Sequence, residues 1–334
     1  MRTFVTGGSG YLGRNLLSAL VARGISVRAL VRSEEAAQKV QALGAQPILG
    51  TLEHRETLKE GMAGCDVLFH AAALTSARAT DAEFHRANVL GTETVLAAAR
   101  DARIQRMVHV STEAVLADGR PLLQVDESHP LPKRPFAGYP ATKAQAEQLV
   151  LQANGPGFTT VVVRPRFIWG ADDTAFLPQL IDAIRTKRFR WVDGGRYLTS
   201  TCHVANVCEG MLLAAERGPG GEVYFLTDGA PVELRSFLTL LLETQGIKAE
   251  VGNIPFQAAR AAAHLGESLW RALVPQARAP ALRLAVYLLG REVTLNDDKA
   301  RRELGYAGRV THQQGLDALR QAGPAGQGAM PHRA

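Results

Sequence analysis

A tyrosine and a lysine stand one helical turn apart near the middle of the chain. In residues 137–150, AGYPATKAQAEQLV, Tyr139 precedes Lys143 by four positions at the predicted start of a helix. Residues at this spacing lie on one helical face, and a nearby ammonium favours the phenolate and lowers the pKa of a tyrosine. The pair therefore fits proton transfer, although Tyr and Lys also occur at this spacing by chance in many helices.

Three glycines near the N-terminus form a second motif. Gly7, Gly10 and Gly13 have G-x-x-G-x-x-G spacing between a short apolar strand and a helix. There the first glycine allows a tight turn, the second lets the backbone approach a pyrophosphate, and the third packs the helix against the strand. The helix N-terminus adds free N–H groups and a positive dipole end. The motif predicts a dinucleotide site; a strand–turn–helix with spare glycines is the alternative.

The end of the second predicted strand indicates which dinucleotide is bound. An NAD site usually has a carboxylate there for the ribose 2′-hydroxyl, whereas an NADP site uses arginine. No carboxylate follows Val31, and Arg32 comes next. Its guanidinium suits a 2′-phosphate, with Lys39 as a second cation. We favour NADP, with NAD as the alternative and a solvated loop role for Arg32 left open.

Strands and helices alternate around these motifs. Predicted strands begin with residues 3–6 and 26–31 and end with 159–165; a long helix covers 81–102, and a polar, Pro-rich loop spans 117–138. Such alternation with continuous apolar strands predicts an α/β fold with a doubly wound parallel sheet covered on both faces. Beyond Pro165 the alternation loosens into a smaller, mostly helical part.

Composition narrows the classes of function. Of 334 residues, 46% are hydrophobic and 21% are charged, which is typical of a globular protein. The net charge of +6 is scattered, with its strongest cluster at 185–190, so we expect no nucleic-acid partner. Three cysteines without metal spacing predict a reduced, cytoplasmic protein with no metal site. No apolar run reaches about 18 residues, and the apolar segment 279–290 is a core or lid helix or, alternatively, a membrane-surface helix.

The motifs of this sequence resemble those of a known family. TGGSGYLG, FHAAA, NVLGT, VST, YPATK and RPRFIWG occur in the order found in the extended short-chain dehydrogenases/reductases. The resemblance runs from residue 1 to about residue 320, and its N-terminal motifs are specific in combination. The chain looks most like the 3β-hydroxysteroid dehydrogenase-like and dihydroflavonol-reductase-like branch. VRALVRS is similar to the NADP-binding segment of the latter, and YPATKAQAE, RPRFIWGADD and KARRELGY are similar to segments of the former.

The resemblance implies a Rossmann-type fold and a catalytic trio of Thr112, Tyr139 and Lys143. Ser111, one residue before Thr112, is the alternative catalytic hydroxyl. Asn88 matches a family asparagine in the long helix, with a structural role at least as well supported. The cofactor-binding residues that we predict are Gly7, Gly10, Tyr11, Leu12, Gly13, Arg32, Lys39, Leu52, Ala71, Ala72, Ser111, Tyr139, Lys143 and Pro165.

The resemblance also implies where the substrate lies. Arg166 and Trp169 follow the sixth sheet strand, where the family builds its substrate wall, and Glu113 neighbours Thr112. We expect these three residues in the pocket, with a solvated Glu113 as the alternative. Thr51 stands where the family often has an aspartate for adenine, so adenine binding is expected to be looser.

The expected activity is NAD(P)-dependent interconversion of a secondary alcohol and a ketone on a hydrophobic substrate, such as a 3β-hydroxysteroid or a lipid-like β-hydroxy or β-keto compound. One alternative is a nucleotide-sugar epimerase or dehydratase, disfavoured because RPRFIWG lacks the epimerase asparagine and Glu113-Ala114 replaces the dehydratase Asp-Glu pair. A non-catalytic NADP-sensing regulator is another alternative, but such proteins often lose the Tyr/Lys pair.

The same resemblance divides the chain. Residues 1–165, together with about 201–228, are predicted to form the NADP-binding Rossmann domain. Residues 166–200 and 229–321 are predicted to form the substrate-binding part, and 322–334 a disordered tail rich in Gly, Pro and Ala. We expect at most peripheral membrane contact and leave a homodimer open.

Overall fold

The computed structural model describes residues 1–76, 79–136, 138–273 and 282–323. Most of the predicted tail, from residue 324 on, lies outside the described residues. The strands are β1 (Arg2–Thr6), β2 (Ser26–Val31), β3 (Gln46–Leu49), β4 (Val67–His70), β5 (Arg106–Val110), β6 (Leu122–Val125), β7 (Thr159–Pro165), β8 (Ile168–Trp169), β9 (Trp191–Val192), β10 (Leu198–Thr199), β11 (Cys202–His203), β12 (Val223–Leu226), β13 (Val232–Glu233), β14 (Asn253–Ile254) and β15 (Val293–Leu295).

The helices surround these strands and include a π-helical turn at His85–Leu90 and 3₁₀ turns at Glu113–Leu116 and Asp193–Gly195. The α-helices are α1 (Tyr11–Ala22), α2 (Glu34–Ala42), α3 (Arg55–Met62), α4 (Asp81–Phe84), α5 (Gly91–Asp101), α6 (Tyr139–Gln152), α7 (Leu177–Arg185), α8 (Val204–Arg217), α9 (Leu234–Glu243), α10 (Phe256–Leu273), α11 (Leu282–Gly290), α12 (Asp298–Leu304) and α13 (His312–Ala322).

A seven-stranded sheet in the order β12-β7-β5-β4-β1-β2-β3 forms the centre of the molecule. All its neighbouring strands are parallel. One face packs against α1, α8 and α12, and the other against α3, α5 and α6. Burial on both faces explains why the central strands are continuous apolar runs. The predicted α/β class and Rossmann-type sheet are confirmed.

The carboxyl ends of the parallel strands place the chemically important residues at one edge of the sheet. Gly7 follows β1, Arg32 follows β2, Ala71 follows β4, Ser111 follows β5 and Arg166 follows β7. In open α/β sheets this edge is where ligands bind. The topology thus gathers segments that are far apart in the sequence.

Two features differ from the predicted elements. The long helix expected over 81–102 is interrupted by the π-helical turn His85–Leu90. The polar stretch expected to be a loop contains β6, which pairs in parallel with β15 about 170 residues later. That pairing is nonlocal, so local composition did not indicate it. Within the described residues, no helix combines the length and apolar content that crossing a membrane requires.

Candidate active site

The glycine loop between β1 and α1 has little room for side chains. Gly7 has a φ of 77°, in the region that favours glycine, and a Cβ there would lie 2.7 Å from the backbone nitrogen of Ala72. A Cβ on Gly13 would lie 2.0 Å from the carbonyl oxygen of Gly7. The first and third glycines are therefore required by close backbone packing, and the N-terminus of α1 stays open toward the edge of the sheet.

A cavity of about 630 Å³ adjoins this loop. Six of the predicted cofactor residues line it: Gly7, Gly10, Arg32, Leu52, Ala71 and Ala72. Arg32 is exposed, and its guanidinium makes no hydrogen bond or ion pair with the described part of the chain. The cavity lining, the crowded glycines and this free cation fit a dinucleotide.

Other predicted cofactor residues contribute differently. The Lys39 ammonium pairs with the Glu35 carboxylate at 2.6 Å on the exposed side of α2, so Lys39 differs from Arg32 in already having an anionic partner. Leu12 is partly buried within α1. Tyr11 is buried in the first turn of that helix, and Pro165 ends β7. Glu53, which the sequence did not single out, also lines the cavity.

Tyr139 begins α6 because of the residue before it. Gly138 has a φ of 75°, which lets the chain turn sharply into the helix, and Pro140 favours the first helical turn. Burial raises the pKa of the Tyr139 phenol; repulsion from Glu113 adds to this rise, and a hydrogen bond with Thr112 opposes it. The phenol is therefore neutral at pH 7. Lys143 was expected to lower the pKa of Tyr139, but it does not contribute to the pKa change.

Lys143 lies one turn further along α6 and is 2% exposed. Its ammonium donates to the carbonyl oxygen of Val110 at 2.7 Å and contacts Nε2 of His109 at 3.1 Å. Burial lowers the pKa of Lys143 to about 8, with the nearby Glu147 carboxylate opposing the change. The lysine therefore still carries its proton at pH 7.

A buried histidine pair lies beneath this lysine. The rings of His70 and His109 have centroids 5.1 Å apart. Burial and the Lys143 charge lower the pKa of His70 to about 3, and they also lower the pKa of His109. Both imidazoles are neutral near pH 7, and His70 contacts the hydroxyls of Thr6 at 2.7 Å and Thr92 at 3.0 Å.

The two candidate hydroxyls after β5 have different partners. The Ser111 hydroxyl donates to the Glu147 carboxylate at 2.6 Å, within a buried network in which Glu147 is also paired with Arg164. The Thr112 hydroxyl lies beside the Tyr139 phenol and donates to Glu113 at 2.9 Å. Of the two side chains, Thr112 is therefore the one that faces Tyr139.

Glu113 is not solvated. Its carboxylate is buried and accepts a hydrogen bond from Arg166 Nη1 at 2.5 Å. Arg166 also donates to the Thr199 hydroxyl and to the carbonyl oxygen of Leu288 in α11. The Glu113–Arg166 ion pair therefore connects the Thr112 hydroxyl to α11, and its place in a substrate pocket stays a prediction.

Trp169 differs from its expected position in the pocket. Its side chain is 1% exposed, and Nε1 donates to the Asp228 carboxylate at 2.7 Å. The ring stacks on His312 and packs edge-on against Phe237 in the core formed by α7, α9 and α13. An indole needs a polar partner when buried, and Asp228 supplies it away from Tyr139.

Asn88 connects the π-helical turn to the site. Its side-chain amide accepts from the backbone nitrogen of Leu74 at 2.7 Å, donates back to the Leu74 carbonyl, and donates to the Thr142 hydroxyl at 3.2 Å. It thus ties the segment after β4 to the first turn of α6. π-turns occur frequently at functional sites.

Sequence reasoning missed His109, Glu147 and Arg164. One signal was present for Glu147, because it follows Lys143 by four residues and so shares the face of α6 that carries Tyr139. Arg164 lies within a predicted buried strand, where a charge requires a partner. His109 had no comparable signal.

The site can be compared with known proteins. The model of the 3-beta hydroxysteroid dehydrogenase/isomerase family matches residues 4–256. The chain belongs to this family. It is an extended short-chain dehydrogenase/reductase, an NAD(P)-dependent oxidoreductase acting on a CH–OH group, as the sequence motifs predicted.

Several relatives match this chain over nearly its whole length, among them the following two. 2-alkyl-3-oxoalkanoate reductase of Stenotrophomonas maltophilia (strain K279a) is 35% identical, over 96% of this chain and 98% of that protein. The decarboxylating sterol-4-alpha-carboxylate 3-dehydrogenase of Dictyostelium discoideum is 28% identical, over 95% of this chain and 99% of that protein. Both names describe oxidation or reduction at a 3-position.

Solved structures agree on the fold. The dTDP-glucose 4,6-dehydratase of Streptomyces venezuelae with NAD bound has a TM-score of 0.74 and covers 96% of this chain and 97% of its own. At 23% identity it shows that the fold is shared.

Proposed function

We propose that this family member uses NADP(H) to interconvert a secondary alcohol and a ketone at the 3-position of a hydrophobic substrate. Candidate substrates are 3β-hydroxysteroids and lipid-like β-hydroxy or β-keto compounds. The observation that carries the proposal is the meeting of the Tyr139 phenol and Thr112 one turn before Lys143. Arg32, free at the cavity, supports NADP over NAD.

Each residue has one role in the proposed reaction. When bound, the nicotinamide supplies or accepts the hydride. In reduction, Tyr139 gives its phenolic proton to the developing alkoxide, and its raised pKa keeps that proton bound until then. Thr112 orients the substrate oxygen by a hydrogen bond, for which its hydroxyl turns from Glu113 to the substrate. Lys143, protonated at pH 7 with a pKa of about 8, would hold the nicotinamide ribose.

The substrate class draws on the relatives. The names 2-alkyl-3-oxoalkanoate reductase and sterol-4-alpha-carboxylate 3-dehydrogenase both describe a hydrophobic body, a 3-oxygen function and a neighbouring carboxylate. We extend that combination to this chain and propose 3-oxo or 3-hydroxy acids as substrates.

The test uses a Tyr139→Phe variant. We expect its turnover of a 3-hydroxy acid or ester with NADP⁺ to fall by about 10³-fold, because a positioned acid–base group contributes 10²–10⁴. NADPH binding, followed by fluorescence titration, is expected to stay at the wild-type value. Tyr224→Phe is the control, since that phenol lies in the edge strand β12 and donates to Glu303 in α12. Full activity in Tyr139→Phe contradicts the assignment.

A nucleotide-sugar dehydratase is a second candidate, because solved dehydratases share the fold. Against it, the Glu113 carboxylate is engaged by Arg166, so it is not a free base after Thr112. Turnover of dTDP-glucose without net consumption of NADPH distinguishes this candidate. NADPH binding with no turnover of any ketone or alcohol is the behaviour expected of a regulator.

A further inference from the structure

A second cavity, of about 590 Å³, lies beside α10 and α11. Its lining is distinct from that of the glycine-loop cavity. The apolar part consists of Phe136, Phe256, Val286 and the ring of Tyr287, and arginines surround it. An apolar floor with a basic rim suits an amphiphilic anion.

The cavity is connected to the candidate catalytic residues by a chain of contacts through Tyr287 and Leu288. Its ring packs against Phe136 with centroids 5.6 Å apart, and Phe136 lies three residues before Tyr139. The next residue, Leu288, accepts a hydrogen bond from Arg166. The Glu113 charge acts on the pKa of both the Tyr139 and the Tyr287 phenols. The segment that carries Tyr287 is therefore connected to the Glu113–Arg166 pair through Leu288.

The charges in the cavity do not balance. Asp118 lies 3.8 Å from Arg120, and Glu267 pairs with Arg283 at 2.5 Å. The two remaining arginines of the lining are Arg260 and Arg291. Neither makes an ion pair or hydrogen bond with the residues that the structure describes, so the cavity has two uncompensated positive charges.

Arg291 is held ready for an anion. Its guanidinium carbon lies 3.4 Å from the centroid of the Phe256 ring, and its Nε is buried without a hydrogen-bond partner among the described residues. The Tyr287 side chain is 3% exposed, and its hydroxyl is also buried without such a partner. Buried donors normally have partners, so an unpaired donor on each of two lining residues points to a ligand with acceptor oxygens.

We propose that Arg291, assisted by Tyr287, binds the carboxylate of the substrate, with the hydrophobic body along Phe136 and Phe256. The inference rests on the proposed function, since it names the group that distinguishes a 3-hydroxy acid from a neutral alcohol. Arg166 is less suited to this role, because its charge is already paired with Glu113 and it also donates to Thr199 and Leu288. A planar guanidinium matches the two oxygens of a carboxylate.

The test compares 3-hydroxydodecanoate with its methyl ester, using NADP⁺ and the variants Arg291→Met and Arg291→Lys. Methionine keeps an apolar contact with Phe256 and removes the charge. We expect Arg291→Met to raise KM for the acid by about 30-fold, since hydrogen bonds to charged groups contribute roughly 1.5–3 kcal/mol. KM for the ester is expected to stay near the wild-type value. Arg291→Lys keeps the charge and is expected to fall between wild type and Arg291→Met.

The control is Arg185→Met, an exposed arginine on α7 with the same change in charge. Equal effects of Arg291→Met on acid and ester, or no effect on either, overturn the carboxylate site and leave the proposed function standing. If Arg291→Met fails to fold, unchanged acid kinetics in Arg291→Lys overturn the bidentate contact. If wild type oxidises neither compound, the proposed function fails. In that case the carboxylate site is tested by calorimetric titration with dodecanoate. The proposal requires that the Arg291 variants bind dodecanoate more weakly than wild type does.

Discussion

The buried network under the catalytic segment gives the sharpest prediction about stability. The Glu147 carboxylate in α6 is 1% exposed and accepts from Arg164 Nε at 2.9 Å, from Arg164 Nη2, and from the Ser111 hydroxyl at 2.6 Å. The Arg164 side chain is 5% exposed. In Glu147→Gln the carboxylate charge is lost, and the Arg164 cation is left buried without a counter-ion.

The size of the effect follows from this burial. Removing one partner of a buried ion pair costs about 3–5 kcal/mol. Unfolding entropy is about 2.1 cal/mol/K per residue, so for a chain of 334 residues the loss corresponds to a Tm lowered by about 4–7 °C. Replacing both partners, in Glu147→Met/Arg164→Met, is expected to recover most of this loss, because no unpaired charge remains.

Thermal and guanidinium unfolding followed by circular dichroism measure the change. Asp182→Asn is the control: Asp182 pairs with Arg188 at 2.5 Å, but both side chains are more than 60% exposed, so its loss is expected to cost less than about 1 kcal/mol. Equal Tm values for Glu147→Gln and Asp182→Asn would refute the argument that burial makes the first pair costly to break.

Two further predictions concern the site. Arg32→Ala is expected to raise KM for NADPH by about tenfold, the lower end for the loss of an exposed charged contact. KM for NADH is expected to stay unchanged, and Arg32→Lys is expected to have an intermediate KM for NADPH. Equal changes in KM for both cofactors exclude a phosphate-binding role for Arg32. Burial lowers the pKa of Lys143 from 10.5 to about 8, so between these values the unfolded state binds more protons, and the unfolding free energy rises with pH. The increase in unfolding free energy is about 3 kcal/mol at most. Guanidinium titrations from pH 7.5 to 9.5 should show part of this increase in wild type and none of it in Lys143→Met. The same slope in both proteins assigns it to other groups.

Much of the fold was predictable from local patterns. The apolar runs of β1, β2, β4, β5 and β7 and the helical periodicity between them give the parallel sheet, because burial on both faces leaves a continuous signature in each strand. Short strands outside this sheet were harder to predict. β6 pairs with β15 across about 170 residues, and a four-residue strand in a polar stretch has no periodicity long enough to detect.

The sequence by itself determined the chemical types at the site. The spacing of Gly7, Gly10 and Gly13 and that of Tyr139 and Lys143 follow from backbone and helix geometry alone. Those constraints are local, so they are readable from neighbouring residues without knowledge of the fold.

Only the tertiary structure decided which groups meet. Ser111 turns to Glu147 while Thr112 faces Tyr139, and Trp169 is buried on Asp228. Among the residues that the structure describes, Arg291 has no counter-ion. The pKa of the phenol also differs from expectation, because burial and the Glu113 charge raise it. Burial and charge pairing depend on contacts between residues far apart in the chain, and no local pattern carries that information.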